Sequence, residues 1–340
     1  MFYDEMMYVI KVTDDCFMRC PYCMVDEEFS KDEMSHDTFR NILLKSIGMS
    51  KVLISFVGGE PLMVGQDWYK KAFEIADEFS KEYLVKVDFQ MFTNGVLLND
   101  SWMDLLESND VGIIMSYDGK DRGPKGRKKS QKIVQKYGSR FVAVNIVVNS
   151  DNHQHLLEIF TELESYGVRR VMNYLNIYEH CIAEKFADGM IEVFKYIDEN
   201  NPKTKFMTYE DLKYALKTGN RGRINNGNIG KPFINNSFAI HTNGVIKAGL
   251  CQTDGPEWEY GNINEIEHII DAVFSENSIR HNKEFVKSQN YIGQYALENT
   301  VTRGGGYFFD KCAIGLPMDK PNLYVLPFYH KLFNYVRQKC

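Results

Sequence analysis

The segment MMYVIKVTDDCFMRCPYC, residues 6–23, joins an apolar run to three closely spaced cysteines. Residues 6–13 are mostly apolar and β-prone, which predicts a strand that ends just before the cysteines begin. Cys16, Cys20 and Cys23 have C-x3-C-x2-C spacing. Such a short loop can present three thiolates to one face of a four-iron cluster, whereas a stand-alone electron carrier normally supplies a fourth cysteine. The spacing therefore predicts a 4Fe–4S cluster with one iron left open for a substrate or cofactor.

Two other uses of the cysteines compete with this interpretation. A structural zinc site needs a fourth Cys or His close by, and the nearest candidate, His36, lies at the expected start of a helix. A disulfide is disfavoured because the chain has seven cysteines, an odd number, and its N-terminus has no secretory apolar segment. We therefore expect reduced thiols and a cytoplasmic location.

Composition limits the other classes of function. With 340 residues the chain can form two domains, for which we predict residues 1–190 and 191–340. The net charge of −6 gives no bulk affinity for nucleic acid, and no apolar run reaches the roughly 18 residues that span a membrane. The basic stretch 120–129 is expected to be a solvated, mobile loop, with contact to an anionic group as the alternative.

The first half of the chain alternates between strand and helix patterns. The predicted strands are 6–13, 51–57, 85–92, 111–117, 141–148 and 169–175. The predicted helices between them are 38–47, 67–83, 100–108, 130–137 and 153–166. Strands that alternate with helices imply right-handed crossovers and a parallel sheet.

Glycines and polar residues recur where these strands end. They are Gly58-Gly59-Glu60, Thr93-Asn94-Gly95, Ser116 with Asp118-Gly119, and Asn145 with Asn149. The carboxyl ends of parallel strands form one rim, and ligands bind there. The cysteine loop also follows a strand, so we expect all these groups on the same face.

These motifs together resemble those of the radical S-adenosylmethionine (SAM) superfamily. Cys16, Cys20 and Cys23 match its cysteine signature, with Tyr22 in the usual aromatic position. Gly58-Gly59-Glu60-Pro61 is similar to its GGEP motif. The TNG at 93–95 and the S-x-DG at 116–119 resemble elements of its peptide-modifying branch. A single short motif is weak evidence, but four in order, each at a strand end, are strong.

The resemblance implies an α/β fold, a partial (β/α)6 barrel of the TIM type, with a smaller C-terminal α+β extension. It also implies that the open iron of the cluster binds SAM, and that reductive cleavage gives a 5′-deoxyadenosyl radical that abstracts hydrogen from a substrate. A flavodoxin- or ferredoxin-type protein is the expected reductant.

The same resemblance assigns roles to individual residues. Gly58 and Gly59 allow close approach of SAM, and Glu60 accepts hydrogen bonds from its ammonium group. The remaining cofactor-binding candidates are Tyr22 beside the adenine, Ser116 and Asn145 at the ribose or carboxylate, and Asn94 and Asp118 within their motifs.

The pattern changes after about residue 185. Residues 237–252 read as two strands around the turn Thr242-Asn243-Gly244. With the GNI at 261–263, this block resembles the SPASM or twitch extension of peptide-maturing radical SAM enzymes. Ile266 stands where that family has a further cysteine, and the later cysteine run is absent.

Four cysteines in the second half leave three interpretations open. Cys181, Cys251, Cys312 and Cys340 could hold a second 4Fe–4S cluster, although they lie far apart in the sequence. Alternatively, Cys251 or Cys312 is catalytic and donates a hydrogen atom to a substrate radical. The third interpretation is a buried apolar cysteine at each position.

We therefore expect a radical SAM enzyme that acts on a ribosomally synthesised peptide, by epimerisation or by crosslink formation. Because the cysteine loop begins at residue 16, a leader peptide is expected to bind elsewhere on the chain or through a partner. The alternatives are an epimerase or dehydrogenase for a sugar or aminoglycoside, and a non-catalytic metal-binding or redox-sensing protein.

Overall fold

The structure is a computed structural model, and it describes residues 4–23, 31–119, 124–175, 184–218, 237–247, 255–281, 283 and 326–339. The chain forms two compact units. Unit 1 comprises Met1–Ile113 and Phe233–Lys283, and unit 2 comprises Ile114–Pro232 and Glu284–Cys340. The division by motif at residue 190 stays a prediction.

The strands and helices are numbered in chain order. The described strands are β1 (Glu5–Thr13), β2 (Lys51–Gly58), β3 (Lys86–Thr93), β4 (Gly112–Ser116), β5 (Ala143–Val148), β6 (Arg170–Leu175), β7 (Lys205–Phe206), β8 (Ser237–Ile240), β9 (Val245–Lys247) and β10 (Glu259–Asn262). The described helices are α1 (His36–Leu44), α2 (Gln66–Tyr83), α3 (Asp100–Ser108), α4 (Pro124–Tyr137), α5 (Leu156–Ser165), α6 (Glu184–Asn200), α7 (Met207–Thr218), α8 (Ile269–Val273) and α9 (Leu326–Arg337).

In unit 1 the strand order is β10-β9-β8-β1-β2-β3. Strands β8, β1, β2 and β3 are parallel to their neighbours, and β9 and β10 complete the sheet as antiparallel strands. Helices α1 and α3 begin at Ser35 and Asn99, whose side chains accept hydrogen bonds from Thr38 N and Trp102 N. These N-caps satisfy amides that the first helical turn leaves without partners.

One face of the unit 1 sheet is covered by aromatic side chains. Phe56 of β2 is fully buried, and its ring lies 5.1 Å from Tyr69, 5.6 Å from Phe89 and 6.2 Å from both Trp68 and Phe73. Edge-on and offset contacts of this kind stabilise a core beyond the area that they bury. This cluster fixes α2 on the sheet and so positions the strand ends that carry the motifs.

Unit 2 continues the alternation of parallel strands and helices. β5 pairs with β4 and β6, and β6 pairs with β7, all in parallel. Its core contains the buried rings of Phe160, Phe194, Phe206 and Tyr209. Helix α6 packs on α5 and α9.

The predicted α/β class, with its parallel strands, is confirmed, and the element boundaries shift by only a few residues. Two expectations are wrong. Residues 124–129 of the basic stretch belong to α4, where Pro124 provides a favourable first residue, rather than to a loop. The alternation also continues past residue 185, because β7 adds a short parallel strand beside β6.

The hairpin predicted around residues 242–244 is confirmed, since β8 and β9 pair in antiparallel fashion. The sequence pattern did not show that β8 also pairs in parallel with β1. Within the residues that the structure describes, no helix combines the length and apolar character needed to cross a membrane.

Replacing Phe56 with alanine is expected to lower the free energy of unfolding of unit 1 by about 3–5 kcal/mol, since it leaves a cavity among the surrounding rings. All three tryptophans, Trp68, Trp102 and Trp258, belong to unit 1, so their fluorescence during denaturant titration reports on that unit. Phe274→Ala is the matched control, because Phe274 is 68% exposed. Equal effects of the two substitutions would contradict this account of the core.

Candidate functional site

The three cysteines lie in one turn that follows β1. Cys16 is buried, whereas Cys20 and Cys23 are partly exposed, and all three are free thiols. The amide of Cys23 donates to the carbonyl of Cys20 at 3.0 Å, which closes the turn. The Arg19 guanidinium donates to the carbonyl of Cys16. The loop therefore presents one enclosed and two accessible sulfurs.

The start of this loop contacts the chain at the end of β2. We call the contacting segment, Gly58, Gly59 and the backbone of Glu60, the glycine seat. Gly59 N donates to Thr13 O at 2.9 Å, and Glu60 N donates to Asp15 O at 2.8 Å. A Cβ at Gly58 would stand 2.1 Å from Thr13 O, and one at Gly59 2.2 Å from Asp15 O. Only glycine permits backbones to approach this closely.

The carboxylate of Glu60 joins the ends of β2 and β3. Its side chain is only 1% exposed. Oε1 accepts from Thr93 Oγ1 at 2.6 Å and from Leu62 N at 3.2 Å, while Oε2 accepts from Asn94 N at 2.8 Å. A carboxylate offers about four acceptor positions, so contacts within the chain use most of the capacity of Glu60.

Asn94 lies between this carboxylate and the cysteine loop. Its side-chain Nδ2 faces Cys16 Sγ at 3.9 Å, and its Oδ1 accepts from Val96 N at 2.9 Å. Burial raises the pKa of the Cys16 thiol to about 11; the backbone amide of Met18 opposes this shift, and the charge of Glu60 adds to it. The network thus connects the predicted GGEP and TNG residues to a predicted iron ligand.

In unit 2, Ser116 is the last residue of β4, whereas Asn145 lies within β5 and not at a strand end as expected. Ser116 and Asn145 are neighbours in the strand register. Asn145 is 7% exposed, and its Oδ1 has no hydrogen-bond partner within the described part of the chain. A buried acceptor without a partner is costly, so it suits a ligand that brings a donor.

Asp118 differs from these two residues. It is fully buried, and its Oδ1 accepts from Val147 N at 2.6 Å. The carboxylate therefore fixes the end of β4 against β5. Direct contact of Asp118 with a cofactor stays a prediction.

The donor chemistry of these residues fits an iron–sulfur cluster. Among the described side chains, no three from His, Cys, Asp and Glu converge closely enough to hold one ion. A cubane binds each thiolate at a separate iron, so its ligands need not meet at one point. The donor set of three thiols, with an amide directed at one sulfur, matches that requirement.

A charged group that the sequence analysis missed lies at the base of the cysteine loop. Lys11 is 8% exposed and forms an ion pair with Asp14. Burial, together with the positive charges of Lys11 and Lys247, lowers the pKa of His241 to about 3. Ile10 pairs with Ile240 in the β1–β8 register, so Lys11 and His241 follow at the next position, with His241 just beyond the end of β8. That pairing, which brings them together, is invisible in the sequence pattern.

Tyr22 and the four cysteines of the second half are the remaining predicted site residues. Tyr22 is buried, and its contact with an adenine stays a prediction. Cys181, Cys251, Cys312 and Cys340 all lie outside the described residues. A second cluster and a hydrogen-donating thiol therefore remain predictions.

Comparison with known proteins extends these observations. The model of the Radical SAM superfamily matches residues 10–178. A radical SAM cyclopropyl synthase, TigE, from Paramaledivibacter caminithermalis is 24% identical over 318 residues, which cover 83% of this chain and 64% of that protein. A cysteine-type anaerobic sulfatase-maturating enzyme from Clostridium perfringens strain 13 is 24% identical over 309 residues, covering 80% of each chain.

A solved structure shares the fold. Native anSMEcpe with bound AdoMet and Kp18Cys peptide superposes with a TM-score of 0.78 at 16% identity, covering 98% of both chains. At this level of identity the likeness establishes the architecture. It confirms the α/β fold of radical SAM type predicted from the motifs.

Gly59→Ala is expected to displace the cysteine loop, because its Cβ would overlap the Asp15 carbonyl. We expect a loss of stability above the typical 1–3 kcal/mol of an over-packed site, about 3 kcal/mol or more, and reduced iron uptake. Thermal unfolding and iron analysis after anaerobic reconstitution measure both effects.

Gly48→Ala is the control, since nothing lies within 4 Å of a Cβ there, although its φ of +92° adds backbone strain. Normal iron uptake by Gly59→Ala would show that the loop does not depend on the glycine seat.

Proposed function

Residues 10–178 make this chain a member of the radical SAM superfamily, and we propose that it cleaves SAM reductively and abstracts hydrogen from a ribosomally synthesised peptide. The observation that carries the proposal is the network in unit 1. It places the three-cysteine loop on the glycine seat and directs Asn94 at Cys16. This arrangement preorganises thiolate ligands before any iron is present.

When bound, a 4Fe–4S cluster and SAM supply one-electron cleavage of a sulfonium bond and a carbon radical able to abstract hydrogen. Cys16, Cys20 and Cys23 would hold three irons and leave the fourth accessible. Each thiol must lose its proton to bind iron. For Cys16 this is opposed by burial and assisted by the amide of Met18.

Two neighbouring polar residues on adjacent strands of unit 2, Ser116 and Asn145, are the groups proposed for SAM. The buried Oδ1 of Asn145 is an acceptor, so it suits a ribose hydroxyl and not a carboxylate. Ser116 is partly exposed beside it and can both donate and accept. We therefore propose that Asn145 binds the ribose of SAM and that Ser116 makes the second contact.

Glu60 acts mainly through the chain itself. Its contacts with Leu62, Thr93 and Asn94 hold the strand ends in place, and at most a minor part of its acceptor capacity is left for the SAM ammonium group. We propose that its main role is structural, with contact to the ammonium group as a second one.

The peptide substrate is supported by proteins of the same fold. anSMEcpe is solved with a bound peptide, and one relative is a sulfatase-maturating enzyme. Epimerisation and crosslink formation both begin with hydrogen abstraction and remain the two proposed outcomes. An external one-electron donor of flavodoxin or ferredoxin type and a cytoplasmic location complete the proposal, because exposed thiols persist in reducing compartments.

Cys20→Ala is expected to abolish formation of 5′-deoxyadenosine from SAM and dithionite under anaerobic conditions. Substitution of a residue that supports a metal ligand already lowers metal affinity or activity roughly 10–100-fold, so loss of the ligand itself should lower it further. Liquid chromatography of the reaction measures the product. Phe274→Ala, at a position that is 68% exposed, serves as the control and should retain wild-type yield. Equal yields from Cys20→Ala and the wild type, or none from either, would refute the enzyme proposal.

The outcome of hydrogen abstraction can be read from the mass of a candidate substrate, for which any short peptide encoded next to this gene is the first choice. Co-expression in deuterated medium, followed by mass spectrometry, is the measurement. Epimerisation should add one deuterium from a solvent-exchanged donor, and a crosslink should remove two hydrogens. The Cys20→Ala chain is the control and should leave the peptide unchanged. An unmodified peptide with the wild-type chain would count against a peptide substrate.

A further inference from the structure

The side chain of Asn94 is held in one orientation. It is 7% exposed, and its Oδ1 accepts from Val96 N at 2.9 Å. An amide can accept only through its oxygen, so this bond determines which end faces Cys16. Nδ2 is therefore the group that lies 3.9 Å from Cys16 Sγ.

The backbone of Asn94 is fixed by the same elements that hold the cysteine. Its amide donates to Glu60 Oε2, and Thr93 Oγ1 donates to Glu60 Oε1. Gly59, the residue of the glycine seat that precedes Glu60, donates its backbone amide to Thr13 O, just before the cysteine loop. The Asn94 amide and the Cys16 sulfur are thus both positioned by the segment 58–60. Little reorganisation is therefore needed to form a hydrogen bond between them.

The chemistry of the acceptor changes when it binds iron. A neutral thiol accepts hydrogen bonds weakly, whereas an iron-bound thiolate carries negative charge and accepts more strongly. Reduction adds further negative charge to the cluster and its ligands. A donor to the sulfur therefore stabilises the reduced form more than the oxidised form, and hydrogen bonds to sulfur are a known determinant of cluster potential.

We infer that Asn94 is a positioning residue for the cluster: its amide donates to the Cys16 sulfur and makes the cluster easier to reduce. This rests on the proposed function, since it requires the 4Fe–4S cluster. Cys16, Cys20 and Cys23 stay in place as the ligands, so loss of Asn94 should shift the potential without preventing cluster binding. The role differs from direct contact with SAM, because it acts through Cys16.

Asn94→Ala tests the inference by reductive titration of the reconstituted protein, followed by electron paramagnetic resonance. The midpoint potential should become more negative than in the wild type. Asn99→Ala is the matched control, because Asn99 lies on the same connection but its side chain caps α3 at Trp102. Its midpoint should equal that of the wild type. An unchanged midpoint in Asn94→Ala with the cluster intact would overturn the inference.

A second measurement uses the wild-type chain and does not depend on the variant. With 15N in the asparagine side-chain amides, pulsed resonance of the reduced cluster should show a nitrogen coupling. Absence of that coupling would overturn the inference even if Asn94→Ala failed to take up iron. A wild-type chain that binds no 4Fe–4S cluster would refute the proposed function as well, whereas a bound cluster without the coupling refutes only the role of Asn94.

Discussion

The close approach of two backbones, at the start of the cysteine loop and at the end of β2, is the constraint on which the site depends. Gly59 N and Glu60 N donate to Thr13 O and Asp15 O, and no side chain fits between the two segments. This contact holds the loop against the end of β2. The aromatic cluster around Phe56 in turn fixes the position of β2. A loop of three thiols is thereby placed by the sheet.

Buried carboxylates connect the ends of strands to their neighbours by hydrogen bonds. Glu60 bonds to residues 33 and 34 positions further on, at the end of β3. In unit 2, Asp118 plays the same part when it accepts from Val147 N. A buried charge is tolerated only with several hydrogen bonds, so Glu60 fixes the turn that follows β3, whereas Asp118 fixes the end of β4 against β5. Asn94 follows directly on β3, and Asn145 lies within β5.

Which segments come together is easier to predict from the sequence than the contacts between their residues. Spacing and position after a strand are enough to group Cys16, Cys20 and Cys23 with Glu60, because both are local properties. Their roles toward a cluster and SAM stay predictions. The partners of Glu60 and the pairing of β8 with β1 were not predictable, since they depend on the register between distant segments. The same limit applies to Lys11 and His241. Gly58 and Gly59 also accommodate the backbone of the chain itself, which the sequence does not reveal, and close approach of SAM to them stays a prediction. The charge of the basic stretch predicts a loop, whereas residues 124–129 belong to α4.

The central claim is that the chain, not the iron, builds the ligand loop. Hydrogen exchange at the amides of Gly59 and Glu60 in the metal-free protein tests this most directly, because both amides donate to the start of the loop. The account predicts protection similar to that of amides within β1 before iron is added, with little change afterwards. Exchange at the rate of an unstructured peptide, with protection appearing only when iron binds, would contradict it.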